Sequence, residues 1–442
     1  MLRRSSLLSM RHALALACAA LIAASGCGSP IATAPQRSAE PTHSSAPNVI
    51  EDVSAEVVVT LAEGVSAYYV AYDFSATLIE WEKDERCAKF IPQAGQPREK
   101  LAYLLSMDPR CETVDLNTYI EEVETRQQSF AFDDGIPGVQ PYLEQAAARA
   151  LRLEAAHFVT RGRGVRVAII DTGVDATHPA LAGRILMGRD FVQDDDDPTD
   201  VVDGVDQDGD GLADEAFGHG THVAGLVSLT APEAPLMIAR VLDADGRGDV
   251  LDVAAGIRWA TRNGARVINL SLGTLDEIAA VQKALEEAEA LNIVVVASAG
   301  NRGSAIPEEY PARSNNAHAV AATDADARPA PFTSYAPWVA ISAPGVAVRS
   351  AYPGGGYRLW SGTSMSAPFV AGAAALVIER HPSWTSDRVM GRLRWTTRPI
   401  QGASAEQQGM LGRGMLNVLA AVRADHVRAG PGEGDEPTDG VE

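Results

Sequence analysis

Three side chains in this sequence have the types and order needed to activate a hydroxyl. Ser364 lies in the small-residue turn Leu359-Trp360-Ser361-Gly362-Thr363-Ser364-Met365-Ser366-Ala367-Pro368, just ahead of the Ala-rich run Phe369 to Ile378. A serine at the entrance of a helix sits beside free backbone N–H groups that stabilise negative charge, which suits a nucleophile whose attack creates an oxyanion. A hydroxyl needs a base, commonly His, itself held by a carboxylate. Asp171 ends the apolar run that starts at Val165, and His219 stands in Gly218-His219-Gly220-Thr221-His222 at the start of a predicted helix. A capping serine, a capping acid or a surface histidine would explain each one singly. The set Asp171, His219, Ser364 points to acyl transfer.

The motifs around these residues carry a resemblance. Asp171-Thr172-Gly173, His219-Gly220-Thr221-His222, Ala299-Gly300-Asn301 after the apolar run Ile293 to Val296, and Gly362 to Pro368 make the chain similar to the subtilisin-like serine proteases, the subtilases, over about residues 140–425. The resemblance implies a serine endopeptidase acting on protein or peptide substrates through an acyl-enzyme. It implies Ser364 as nucleophile, His219 as base, Asp171 as orienting carboxylate, and Asn301 as the side-chain donor of the oxyanion hole with the Ser364 backbone N–H. It also implies that Ser271-Leu272-Gly273 and Gly246-Arg247-Gly248 flank an extended substrate, with Ala299 and Gly300 beside them. Arg302, next to Asn301, is expected as an exposed arginine, the other reading being a place at the mouth of the pocket for the residue preceding the scissile bond. The pair His219 and His222 lacks the His-Glu-x-x-His pattern of a zinc protease, and the second His is structural in the family.

The elements that must position these residues follow from periodicity. Apolar runs of strand length alternate with amphipathic helices: strands over 165–170, 236–242, 267–270 and 293–297, helices over 218–229, 250–263 and 276–291, and a lead-in helix over 142–158. Continuous apolar strands between helices indicate an α/β, doubly wound, mostly parallel sheet covered on both faces. In such sheets sites lie at the carboxyl ends of strands, where Asp171, Ser271 and Ala299 to Asn301 stand.

Five segments are expected. Residues 1–27 read as an export signal, with Arg3, Arg4 and Arg11 before an apolar stretch too short for a permanent membrane span. Its end, Leu21 to Cys27, resembles the bacterial lipobox, although Ala24 stands where leucine is usual; lipid on Cys27 would tie the chain to the bacterial cell envelope. Residues 28–48 are a Ser/Pro/Ala tether and 426–442 an acidic disordered tail. Residues 49–133 form a small α+β domain, with strands over 56–61 and 69–72, a helix over 98–106 and an extended run over 114–124. Its position is similar to that of the subtilase propeptide, which makes it a folding partner and inhibitor of the protease over 134–425, with a cut expected within 127–138 that would free the enzyme.

Composition sets further bounds. The net charge of −21 argues against nucleic acid as a partner. Eleven acidic and no basic side chains fall in 193–215. Within it, Asp206, Asp208 and Asp210 alternate, followed by Leu212, Asp214 and Glu215, like the start of an EF-hand calcium loop. The twelfth position is Phe217 rather than Glu, so the match is partial, and a solvated acidic loop is the other reading. The connection 228–235 is too short for the calcium loop that follows the His helix in subtilisins, which speaks against Asp175 as a ligand. Of the four cysteines, Cys87 and Cys111 remain outside the signal and lipobox, either as one disulfide or as two thiols. A rival reading is a catalytically silent subtilase fold used as a calcium-dependent binding module.

Overall fold

The structure is a computed structural model that describes residues 53–122, 124, 129–207 and 209–423. The expected signal with Cys27, the tether, the acidic tail and Asp208 lie outside the described residues.

The N-terminal part runs β1 (Val57–Leu61), α1 (Ala67–Asp73), β2 (Thr77–Glu82), β3 (Cys87–Ile91), α2 (Arg98–Ser106) and β4 (Cys111–Leu116), with sheet order β2-β3-β1-β4. Alternation along β1 sends Val57, Val59 and Leu61 into a core with Val70, Leu101 and Leu105 of the two helices. Val58 points to the other face and joins a core of the large domain. Two expectations are corrected here. Residues 69–72 belong to helix α1, because Ala67, Val70 and Ala71 are its buried positions while Tyr68, Tyr69 and Tyr72 are exposed. Cys87 and Cys111 are free thiols. Strand β1 separates them, Thr60 pairing with Cys87 and Leu61 with Cys111, so the two cysteines stand about 10 Å apart, beyond disulfide reach. Arg258 Nη1 donates to Cys87 Sγ at 2.9 Å instead.

Next comes β5 (Tyr119–Glu122), then α3 (Gln140–Leu143), α4 (Ala146–Leu151) and α5 (Leu153–His157). The single lead-in helix expected over 142–158 is thus broken, and Arg152 takes a left-handed φ of 60° at the joint between α4 and α5.

The large domain continues with β6 (Val167–Asp171), β7 (Ile185–Asp190), α6 (His219–Thr230), β8 (Leu236–Arg240), β9 (Arg247–Asp249), α7 (Val250–Arg262), β10 (Val267–Leu270), β11 (Leu272–Gly273), α8 (Ala279–Ala290) and β12 (Val294–Ser298). It closes with β13 (His318–Thr323), β14 (Val339–Pro344), β15 (Val348–Tyr352), β16 (Gly356–Trp360), α9 (Thr363–Arg380), α10 (Ser386–Trp395) and α11 (Val418–Arg423). Seven strands form a parallel sheet in the order β14-β13-β12-β10-β6-β8-β7. Val167 and Ile169 of β6 face a core shared with α6 and α9, while Ala168 and Ile170 face one shared with α7 and α8. The sheet is therefore doubly wound, as the periodicity predicts.

The small sheet lies against α7 and α8 through charged contacts. Lys89 Nζ pairs with Asp249 and, at 2.8 Å, with Glu80 Oε2. Arg86 Nη2 reaches Glu287 at 2.6 Å, and Glu85 pairs with Arg262. Asp115 accepts from the backbone N–H of Ala279 and Ala280 at 2.9 and 2.8 Å, a carboxylate at the N-terminal, positive end of α8.

Candidate active site

Each motif arrives from a separate element. Asp171 is the last residue of β6, His219 the first of α6, Ser364 the second of α9, and Asn301 follows β12. His219 Nδ1 and Asp171 Oδ1 are 2.7 Å apart, and both side chains are fully buried. The close approach of α6 to the end of β6 requires glycine at 220, where a Cβ would lie 2.1 Å from the Gly173 carbonyl. Thr172 Oγ1 accepts from Gly220 N at 3.1 Å and donates to Asp200 Oδ2 at 2.9 Å, and that carboxylate also accepts from Gly218 N. Burial pushes the Asp200 carboxyl up to about 7. The acidic stretch thus contributes a buried anchor for the His turn.

Asn301 is aimed by its neighbour. Its Oδ1 accepts from the Thr363 backbone N–H at 2.9 Å and from Thr363 Oγ1 at 3.0 Å. That fixes the amide so that Nδ2 points the other way. Asn301 Nδ2 donates to Glu124 Oε1 at 2.8 Å, and the Ser364 backbone N–H donates to the same oxygen at 3.1 Å. The two donors expected to hold an oxyanion therefore converge on one carboxylate oxygen. A Cβ at Gly362 would overlap that oxygen, at 1.7 Å, so glycine there opens the space it fills.

The carboxylate comes from the segment leading away from the small domain. β5 lies between β11 and β9 as the central strand of a three-stranded sheet, antiparallel to both. The Glu122 backbone N–H donates to the Gly246 carbonyl at 2.8 Å. Ser271 precedes β11, its Oγ donating to the Ser364 carbonyl at 3.2 Å, and Ala299 and Gly300 lie on the Asn301 side. Gly248, Leu272 and Gly273 pair directly with β5.

Charge is concentrated here. Glu122 Oε1 stands 3.1 Å and Glu124 Oε2 3.7 Å from His219 Nε2. Burial opposes the charge on His219, but the attraction of Asp171 and Glu122 and the bonds to Asp171 and Glu124 hold its proton well above the ordinary histidine range. Burial drives the Glu122 carboxyl well above its usual range, His219 opposing and Glu124 reinforcing this. Burial would raise Glu124 too, but its bond to His219 and the positive charge there outweigh burial and lower it. His222 is buried beside this cluster, its Nε2 3.2 Å from the Arg358 carbonyl, and burial pushes it down to about 3, so it stays neutral and structural.

Residues 162–414 match the subtilase family. The chain belongs to that family. Over 271 residues it is 40% identical to Subtilisin BL and to Subtilisin Savinase, both of Lederbergia lenta, covering 59% of this chain and 92% of each relative. It is equally identical over 271 residues to an Alkaline protease of Alkalihalobacillus alcalophilus, covering 65% of that protein. This subtilase is a serine-type endopeptidase, with protein or peptide substrates.

The remaining expected residues are placed as follows. Arg302 Nε lies 3.0 Å from Glu309 Oε1, and the Glu309 carboxylate packs against Gly300, so Arg302 is charge-paired. In the acidic loop Asp206 accepts from Gly209 N and Gly211 N, Asp210 from Leu212 N, and Asp214 from Asp203 N and Gly204 N. Asp175 accepts from Thr177 and Gly354. Among the described residues no helix is long and apolar enough to cross a membrane. The sequence reading missed Glu122, Glu124 and Asp200. The one available signal was the acidic run Glu121-Glu122-Val123-Glu124 closing an extended segment that joins the small domain to the protease.

Proposed function

We propose that this subtilase is made as an exported zymogen in which residues 57–116 and β5 are an inhibitory propeptide. The observation that carries the reading is the Glu124 carboxylate held by both Asn301 Nδ2 and the Ser364 N–H. An inhibitor that spans the cleft as a strand and fills the oxyanion site leaves no room for a substrate carbonyl.

Once the cleft is open, Ser364 Oγ attacks the scissile carbonyl carbon while His219 Nε2 takes its proton and Asp171 holds Nδ1. The carbonyl oxygen becomes an alkoxide between Asn301 Nδ2 and the Ser364 N–H. The C–N bond breaks as His219 returns the proton to the leaving amine. Water then repeats the sequence on the acyl-enzyme and releases the acid and Ser364. Both donors suit the alkoxide better than the ground-state carbonyl, so they act on the rate.

The processing bond belongs between Glu122 and Ser129, mostly ahead of the 127–138 window expected from sequence and overlapping it only at 127–129, because Glu122 lies beside His219 and Glu124 reaches Asn301 and Ser364. The export signal and lipid on Cys27 complete the reading: a precursor held at the bacterial cell envelope, its protease released on cutting. Calcium fits the chemistry of the acidic loop, whose carboxylates and carbonyls are hard oxygen donors. Asp206, Asp208, Asp210, Asp214, Glu215 and the Leu212 carbonyl would hold it, and it would offset part of the loop's negative charge. The silent binding module is the weaker reading, since such a fold gains nothing from keeping Asp171, His219, Ser364 and Asn301 together.

The test is to fractionate cells making wild type, Ser364→Ala and Cys27→Ala, with a serine-reactive phosphonate as label. Wild type should yield a soluble, shortened, labelled protease whose N-terminus lies within 123–129. Ser364→Ala should remain full length, unlabelled and with the membrane, and Cys27→Ala should lose the membrane even when uncut. Normal turnover by Ser364→Ala would sink the assignment of the nucleophile. An active, membrane-bound enzyme still beginning at Cys27 would show that the N-terminal domain is not removed.

A further inference from the structure

Arg247 stands on β9, and its side chain turns toward the strand in the cleft. Its guanidinium carbon lies 3.7 Å from the centre of the Tyr119 ring. Its Nε, buried and without a hydrogen-bond acceptor among the described residues, is 3.9 Å from Glu121 Oε1, and the two residues are register partners in the β5–β9 ladder. Tyr119 and Glu121 leave the same face of β5, since strand side chains alternate. Ile120 and Glu122 leave the other face, Ile120 into the apolar cluster with Leu272 and Ile278, Glu122 toward His219.

The cation is fixed from behind. Arg247 Nη1 donates to the Gln207 carbonyl, and Asp243 Oδ1 accepts from the Arg247 backbone N–H at 2.8 Å. Asp245 accepts from the backbone N–H groups of Gln207 and Asp214, which latches the acidic loop to the turn that carries Arg247. A guanidinium held flat in advance loses little freedom on binding, presents one face for an aromatic ring, and attracts a carboxylate at its edge.

We infer that Arg247 is a specificity-determining residue of the protease. It selects extended substrates with an aromatic side chain at the position held by Tyr119 and an acidic one at the position held by Glu121, two residues nearer the catalytic serine. The inference rests on the reading that β5 lies in the cleft as a substrate strand would. It gives this enzyme a preference for acidic substrates from a residue other than Arg302, which is paired with Glu309.

The test uses the full chain, expressed and allowed to mature, with internally quenched peptides built on Tyr-Ile-Glu-Glu-Val-Glu. One peptide carries Ala for the Tyr, one Lys for the first Glu, and one both changes. With wild type each single change should lower kcat/KM about five-fold, as expected for one cation–π contact or one partly buried ion pair. Added salt should erase the Glu preference and spare the Tyr preference. In Arg247→Ala both ratios should fall toward one, and Arg247→Lys should keep more of the Glu ratio than of the Tyr ratio. Where Arg247→Ala fails to fold, the Arg247→Lys ratios decide. Cleavage of the peptides by wild type with ratios that survive in the Arg247 variants overturns the inference alone. Failure of wild type to cleave any of them, while it cleaves a general protein substrate, overturns the reading of β5 as a substrate-like strand and this inference with it.

Discussion

Asn301 Nδ2 and Glu124 Oε1 are 2.8 Å apart, so the group that should stabilise an alkoxide during catalysis holds a carboxylate in the uncut chain. The proposed inhibitory contact uses the same polarity as the transition state. A carboxylate carries full negative charge in the ground state, whereas a peptide carbonyl acquires it only on attack.

Replacing Glu124 should therefore weaken latency more than it weakens folding. Hydrogen bonds to a charged group are worth about 1.5–3 kcal/mol, and Glu124→Ala loses the two from Asn301 and Ser364. Self-processing should speed up by about ten-fold or more, followed as loss of the full-length band with time. Asn301→Ala should act oppositely on the rate, lowering kcat by roughly 10²–10³. An unchanged processing rate in Glu124→Ala means the carboxylate is not the inhibitory contact.

Docking of β5 should weaken as pH rises. His219 is raised above its ordinary 6.5, so its contribution is fully present below that pH and is lost as pH climbs through the raised value. Glu122, raised above 4.5, acts in the same direction. Glu124, lowered from 4.5, contributes above that pH and is lost only in acid. Above 6.5 the His219 and Glu122 shifts work against the docked state, while the Glu124 contribution stays constant. The melting temperature of full-length Ser364→Ala should fall steadily above pH 6.5, and Glu122→Gln should flatten part of that slope. A constant melting temperature between pH 6 and 9 contradicts the assignment.

Lys89 supplies the positive charge among Glu80, Asp249 and Asp252, three acids whose ligand atoms lie within 4.8 Å of one another. Burial raises the Asp252 carboxyl, with the neighbouring acids adding to it. Removing the cation from such a site costs about 3–5 kcal/mol. Lys89→Met in the Ser364→Ala background should therefore release the small domain from α7, read as a separate early transition in calorimetry. A single transition at the original temperature would show that the lysine is replaceable by its neighbours.

Calcium should raise the melting temperature and chelator lower it, because the acids of 193–215 repel one another and a bound ion relieves that and binds only the folded loop. Asp208→Ala together with Asp210→Ala should abolish the response. Indifference of wild type to both additions leaves a solvated acidic loop.

The candidate catalytic residues are legible in the sequence because each borders a short, locally patterned element: Asp171 after an apolar strand, Asn301 after another, His219 and Ser364 at helix starts. Local pattern also separated strands from helices in the parallel sheet. It failed where partners are distant or where composition misleads. Tyr69 and Tyr72 favour strands by type, but the buried residues 67, 70 and 71 follow a helical period. Cys87 and Cys111 suggest a bridge until β1 is found between them. Nothing local to residues 119–122 states that their ladder partners are 247–249 and 272–273. The role of Glu124 is visible only when that pairing delivers it to Asn301.

Strand β5 has neighbours on both sides, and under the proposed maturation this would govern what the enzyme can cut. Its removal leaves two facing edges of unpaired N–H and C=O groups, a sheet with its middle missing. A newcomer must offer both of its own backbone edges at once. A helix has spent those groups internally, and a strand within a folded sheet has at least one edge taken. Only linkers, tails and locally unfolded stretches qualify. The enzyme would therefore cut other proteins at a rate governed by how often they open, and a well-packed target would survive contact with it.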